Sequence, residues 1–199
     1  MMKNMEVNSS YGFHNSRGEK DMKRISTFLI IFVSLLIFLS ACNNNVGEEL
    51  VKYNNEDMNP LSEKALELKE MEKHFYTIVQ DPKKAHQYIK DEVIPFLNEL
   101  NKNINSIQKN LKTDEVKDLN AIEIKQSNYT LHSFEKLAKV LVLQIPPVTD
   151  EEQKESEKLY QDVQKINEDI DKAKDKYNQN LSDLADKYDV SKELKLPFR

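Results

Sequence analysis

Three histidines lie beyond residue 42, at His74, His86 and His132, and they are the first places to look for metal or acid–base chemistry. None belongs to an H-E-x-x-H or H-x-x-x-H pattern, the spacings that bring two imidazoles to one face of a helix. No metal site is expected from them. Carboxylates occur in adjacent pairs, Asp91-Glu92, Asp114-Glu115, Glu151-Glu152 and Glu168-Asp169. Acid–base catalysis needs two carboxyl groups held in one pocket with separated pKa values. Neighbours on a helix diverge by about 100°, so these pairs read as solvated faces. Residues 150–175 hold ten acids and five lysines, which is either an acidic binding strip or, on the commoner pattern, a solvated outer face. Six tyrosines, Tyr76, Tyr88, Tyr129, Tyr160, Tyr177 and Tyr188, could line a groove for sugar or peptide. Several fall on apolar stripes, which favours core packing with the hydroxyl at the boundary, and the chain has no tryptophan. Cys42 is the only cysteine, so the chain can form neither an internal disulfide nor a thiolate metal cluster.

Glycine narrows the chemistry further. Of three glycines, Gly12, Gly18 and Gly47, none lies beyond residue 47. Phosphate-cradling loops, dinucleotide fingerprints and nucleophile elbows all depend on glycine-rich backbone. No local nucleophile motif supports a serine triad. The expectation is a protein that is not an enzyme, with no catalytic residue, no cofactor and no metal.

The elements that must carry any site are helical. A first helix is expected over about Ser62–Gln80, from Leu66, Leu68, Met71, Phe75 and Ile78. Asp81-Pro82 supplies an N-cap and a first helical residue for the second helix, which runs to about Leu111. Ile89, Val93, Leu97, Leu100, Ile104, Ile107 and Leu111 mark its apolar stripe, and Pro95 should kink it. Thr113 caps a third helix reaching about Gln144, with Val116, Leu119, Ile122, Leu137 and Leu141 facing inward. Its end, Val140 to Ile145, could instead be a buried strand, but no second β run offers a partner. Pro146-Pro147 ends it. Thr149 and Glu152 form a capping box for a fourth helix, whose stripe runs from Leu159 through Val163, Ile166, Ile170, Ala173, Tyr177, Leu181 and Leu184 to Tyr188. The fold class is therefore all-α, an elongated antiparallel three- or four-helix bundle with coiled-coil character over residues 61–199. Residues 42–60, rich in asparagine, read as a flexible tether.

Ile25 to Ala41 is a run of seventeen residues without charge, preceded by Lys23 and Arg24. A basic flank, a short apolar stretch and small residues at its end describe an export signal over residues 22–41. The closing Leu39-Ser40-Ala41-Cys42 resembles the lipobox of bacterial lipoproteins. That resemblance implies a diacylglycerol on the thiol of Cys42 and cleavage before it, leaving Cys42 as the new N-terminus. An uncleaved signal anchor is the alternative, although seventeen helical residues span only ~26 Å. Residues 1–21 do not fit a signal's basic flank and read as an extended or mis-assigned N-terminus. Translation from Met22 is the expectation, since Arg17-Gly18-Glu19 can be encoded by a purine-rich ribosome-binding sequence.

From Cys42 onward 24 basic residues stand against 31 acidic ones, a net charge of -7. That sign argues against nucleic acid as a partner and against adhesion to anionic headgroups or wall polymers. Abundant Lys, Asn and Ile fit an AT-rich genome, and with the single cysteine they point to a Gram-positive envelope. The rhythm Ile166-Asn167 through Lys176-Tyr177-Asn178 is similar, over about a dozen positions, to the cell-wall-binding lipoprotein family; the similarity implies no site residue. The expected protein is held on the extracytoplasmic face of the cell membrane by lipid on Cys42. It acts there as a non-catalytic binding or protein-interaction module with an envelope protein partner. The alternative is a carrier of a small ligand or wall fragment between the helices, near Pro95.

Overall fold

The computed structural model describes residues 45–195, and among these every regular element is a helix. Helix α1 covers residues 45–52 and widens into a π-turn at Tyr53–Asp57. Helix α2 is Asn59–Ile78, and α3 is Pro82–Tyr88. A second π-turn, Ile89–Val93, leads into α4, Ile94–Asn110. The two long helices are α5, Asp114–Leu143, and α6, Asp150–Lys187. At ~1.5 Å per residue they measure roughly 45 and 57 Å. The architecture is an all-α helical bundle.

The stretch expected to be a flexible tether is helical and packed from residue 45 onward. Leu50, Tyr53 and Met58 are wholly buried and Val46 nearly so. Their spacing of about one helical turn makes an apolar stripe, and the five-residue step from Tyr53 to Met58 is taken up by the π-turn, where Met58 N–H donates to Tyr53 O at 2.9 Å. One of the asparagines that gave the segment its linker composition, Asn55, ties it to the far end of the chain. Asn55 Nδ2 donates to Glu193 O at 2.8 Å and its Oδ1 accepts from Lys195 N–H at 2.6 Å. Gly47 permits the approach of α1 to the end of α6: a Cβ there would stand 3.3 Å from Val190 Cγ1 and 3.4 Å from Tyr188 Cβ.

Pro95 shows why the second expected helix is in two pieces. Proline has no N–H and crowds the carbonyl four residues back. The chain answers with the π-turn just before it, in which Ile94 N–H reaches back to Ile89 O. Asp81 caps α3 as expected, its Oδ1 accepting from Lys84 N–H at 3.1 Å. The capping box of α6 is also present. Glu152 N–H donates to Thr149 Oγ1 at 3.2 Å, and Glu152 Oε2 accepts from Thr149 N–H at 2.8 Å. The end of α5 at Val140–Leu143 is helix, not strand.

Thr113 occupies the N-cap position of α5, but its hydroxyl does not cap that helix. It donates to Glu49 Oε2 of α1 at 2.5 Å, and Glu49 also accepts from Thr113 N–H and Lys112 N–H, each at 2.7 Å. Helix α6 ends in a left-handed residue, Asp189 at φ 54°, followed by Val190 N–H donating to Ala185 O at 2.9 Å. That pair of features is the helix stop normally built on glycine.

Two apolar clusters form the core. The first joins α1, α2, α4, α5 and α6 through Leu50, Met58, Leu61, Ile104, Leu119 and Leu181, among others. The second joins α2, α3, α4 and α5 through Phe75, Ala85, Ile89, Leu97 and Leu141. No residue of α6 belongs to it among the described residues. Buried polar residues of α5 add a stripe at steps of three and four, Asn120, Glu123 and Ser127. Asn120 Oδ1 accepts from Tyr53 Oη at 3.3 Å and its Nδ2 donates to Gln108 Oε1 at 2.7 Å. Ser127 Oγ donates to Asn101 Oδ1, whose Nδ2 donates to Asn128 Oδ1 at 3.1 Å.

Candidate functional site

Cys42 and the rest of Leu39–Cys42, together with the apolar run before them, lie outside the described residues. Among the described residues no helix is long and apolar enough to cross a membrane. The histidines have separate surroundings. His74 meets the Tyr88 ring edge-on at 4.7 Å, His86 Nδ1 is 3.0 Å from Ala138 O, and His132 Nδ1 is 3.4 Å from Glu135 Oε2 on its own helix. No group of three potential metal ligands is found among the described residues. The paired carboxylates Asp91 and Glu92 are exposed, and Glu115 accepts from Tyr188 Oη at 3.0 Å.

The tyrosines divide. Tyr177 is buried, its hydroxyl 3.4 Å from that of Tyr53, a core tyrosine absent from the sequence-level set. Tyr76 and Tyr160 are 73% and 50% exposed, against the expectation of core packing for this set. Leu66, placed on the inner stripe of α2 from its sequence spacing, is 65% exposed. The rest of the expected stripe, Leu68, Met71, Phe75 and Ile78, packs inward, joined by Leu61.

Because the second apolar cluster closes without α6, a cleft of ≈ 340 Å³ opens over α5, between α2 on one side and α6 on the other. Helix α2 contributes Leu68, Glu72, Phe75 and Tyr76 to it. Helix α5 supplies Thr130, Ser133, Phe134 and Leu137, and α6 supplies Val163, Asn167, Ile170 and Asp171. Ser133 Oγ donates to Asn167 Oδ1 at 2.8 Å and ties the two long helices together there. The Phe75 and Tyr76 rings meet edge to face, with centroids 5.8 Å apart. Partial burial raises the Glu72 pKa, although its side chain still reaches solvent, and Lys69 partly offsets the effect. Two carboxylates and no lysine, arginine or histidine stand among the described lining residues. Apolar walls with a few convergent polar groups make a place for binding a small molecule, and the volume lies at the lower end of the usual ~300–1,000 Å³.

A second, more open recess of ≈ 740 Å³ lies among α4, α5 and α6, lined by Ile94, Ala138, Val142 and Leu159 with His86, Glu135, Lys139 and Glu155 at its edge. Its lining residue Ile94 precedes Pro95, the region of the alternative carrier reading. On α6 the acidic strip is partly engaged: Asp162 Oδ2 is 3.0 Å from Lys136 Nζ of α5, and that hydrogen bond lowers the Asp162 pKa. Other members, Glu151, Glu157 and Glu168, face solvent.

No protein-family model, curated relative or solved structure matches the chain.

Proposed function

We propose that the chain is a lipoprotein held on the extracytoplasmic face of the cell membrane through lipid on Cys42, where it acts as a non-catalytic binding module with an envelope protein as partner. The observation that carries this reading is Leu39-Ser40-Ala41-Cys42 at the end of a seventeen-residue uncharged run behind Lys23 and Arg24. Residue 45, the first described, is already helical, and two residues, Asn43 and Asn44, lie between it and Cys42 in the sequence. A module anchored this way works close to the bilayer.

The test is metabolic labelling with a clickable fatty acid, membrane fractionation and cross-linking in living cells, comparing wild type with Cys42→Ala. Label and membrane retention in wild type, both lost in the variant, are the expected outcome. An unlabelled wild-type protein overturns the anchor. A protein cross-linked only to the anchored form identifies the partner.

A second reading, a carrier of a small ligand or wall fragment, draws support from the ≈ 340 Å³ cleft between α2, α5 and α6. It differs from the sequence expectation in place, since this cleft lies away from Pro95. Ligand-dependent stabilisation of the purified protein, about 2.7 kcal/mol at a hundredfold excess over the dissociation constant, is its signature.

A further inference from the structure

We propose that the cleft between α2, α5 and α6 binds a small organic cation, with its ammonium group held by Glu72 and Asp171 against the Tyr76 ring and its apolar body lying over Phe134 and Leu137. The inference rests on the carrier form of the function proposed above.

Three independent features converge on that ligand class. The first is charge. Glu72 on α2 and Asp171 on α6 bring carboxylates from both walls, while the described lining residues include no basic side chain. The second is the state of one of those carboxylates. Partial burial raises the Glu72 pKa, Lys69 offsets part of that cost, and an incoming cation would offset more of it. The third is the treatment of aromatic faces. Three rings outside the cleft are met by the chain's own lysines: Lys64 lies 5.1 Å from the Phe96 centroid, Lys125 5.4 Å from Tyr129 and Lys187 4.9 Å from Tyr188. In the cleft no lysine lies over Phe75, Tyr76 or Phe134 among the described residues, and Tyr76 keeps most of its surface open. A ring face beside carboxylates, with no basic residue lining the cleft, is where an external ammonium gains both cation–π and ionic attraction. The Ser133–Asn167 pair at the floor offers a further hydrogen-bonding position for a hydroxyl or amide on the ligand.

The probe is 2-phenylethylammonium, with 2-phenylethanol as its neutral counterpart, titrated against the full chain purified in maltoside detergent. Methyl resonances of Leu68 and Val163 report on the cleft. The expected result is saturable shifts at both methyls, with the amine preferred over the alcohol by about tenfold and weakened by salt. Glu72→Gln combined with Asp171→Asn should remove most of that preference. Both side chains reach solvent and Glu72 carries a partial desolvation cost as a charge, so the melting temperature of the double variant should not fall below that of wild type. Asp175→Asn, on the same helix but outside the cleft, should leave the affinity unchanged. Equal binding of amine and alcohol, unchanged affinity in the double variant, or shifts confined to the recess beside His86 each overturn the proposal. If the amine fails to bind while Cys42-dependent membrane retention holds, the cation site falls and the anchored module stands. If the amine binds to a protein that carries no lipid, the anchor falls and the cation site stands.

Discussion

The Glu49 carboxylate and Thr113 are joined by two hydrogen bonds across 64 residues of chain, one from the Thr113 hydroxyl and one from its backbone N–H. With the N–H of Lys112 as a third donor, a side chain from α1 closes the corner between α4 and α5. That corner would otherwise leave helix-start N–H groups without a protein acceptor. Replacing Glu49 by Ala should cost about 1–3 kcal/mol in urea denaturation, because the lost acceptor is charged and the two Thr113 donors are half-buried.

The same contact predicts an acid dependence. Burial raises the Glu49 pKa, but the hydrogen bonds from Thr113 and Lys112 outweigh it and the net shift is downward. A carboxylate with a depressed folded-state pKa contributes stability that is present above its unfolded value, about 4.5, and is lost as pH falls through the folded value. Stability measured between pH 7 and pH 3 should therefore fall less steeply at the acid end in Glu49→Gln than in wild type. Parallel curves would show that the contact does not titrate with folding.

Leu50 offers a direct check that α1 belongs to the core. It is wholly buried, and Leu50→Ala should lower stability by about 2–5 kcal/mol. A tether residue would give a change within ~0.5 kcal/mol. Thermal melts of the two proteins separate the cases.

Asp189 adopts φ 54° where α6 stops. An L-residue is disfavoured in that region, asparagine and aspartate least so, and glycine carries no penalty. Asp189→Gly should stabilise the protein by up to about 1 kcal/mol, and Asp189→Val should destabilise it by a similar amount or more. Chemical denaturation of both variants reads the sign.

Tyr53 and Asn120 form part of a buried polar group on which α1, α4, α5 and α6 converge. Asn120→Ala should cost about 1–3 kcal/mol, since it strips a hydrogen-bond partner from both Tyr53 and Gln108. Tyr53→Phe should cost about 0.5–1.5 kcal/mol. The double variant should cost clearly less than the sum of the two single changes, and strict additivity would show that the 3.3 Å contact contributes nothing.

The helices that periodicity could reveal are the ones found. The stripe from Leu159 to Tyr188 is buried or half-buried at every position, and the caps at Asp81 and Thr149 stand where their sequence patterns placed them. The misreadings have physical causes. Asparagine content masked the apolar stripe of α1, and the π-turn shifts its register by one residue between Tyr53 and Met58. Thr113 has the right type and position for a cap, but its partner comes from 64 residues away, which local pattern does not encode. Asn120, Glu123 and Ser127 are buried on one face of α5, and a search for apolar periodicity does not register polar residues there. The cleft is least legible of all. Its walls depend on which helices α2 packs against, and that is settled by tertiary contacts rather than by the spacing of any one stripe.

The absence of α6 from the second apolar cluster sets how the molecule should breathe. The later half of α6, with Tyr177, Leu181 and Ala185, is locked into the first cluster. Its earlier half leans chiefly on α5, through Ser156 with Gln144, Asp162 with Lys136 and Asn167 with Ser133. Hydrogen exchange should therefore run as a gradient along this single continuous helix, amides near residue 155 exchanging well before those near residue 180. A molecule bridging the cleft would flatten that gradient, so the slow half of one helix serves as an internal clock for occupancy of the other.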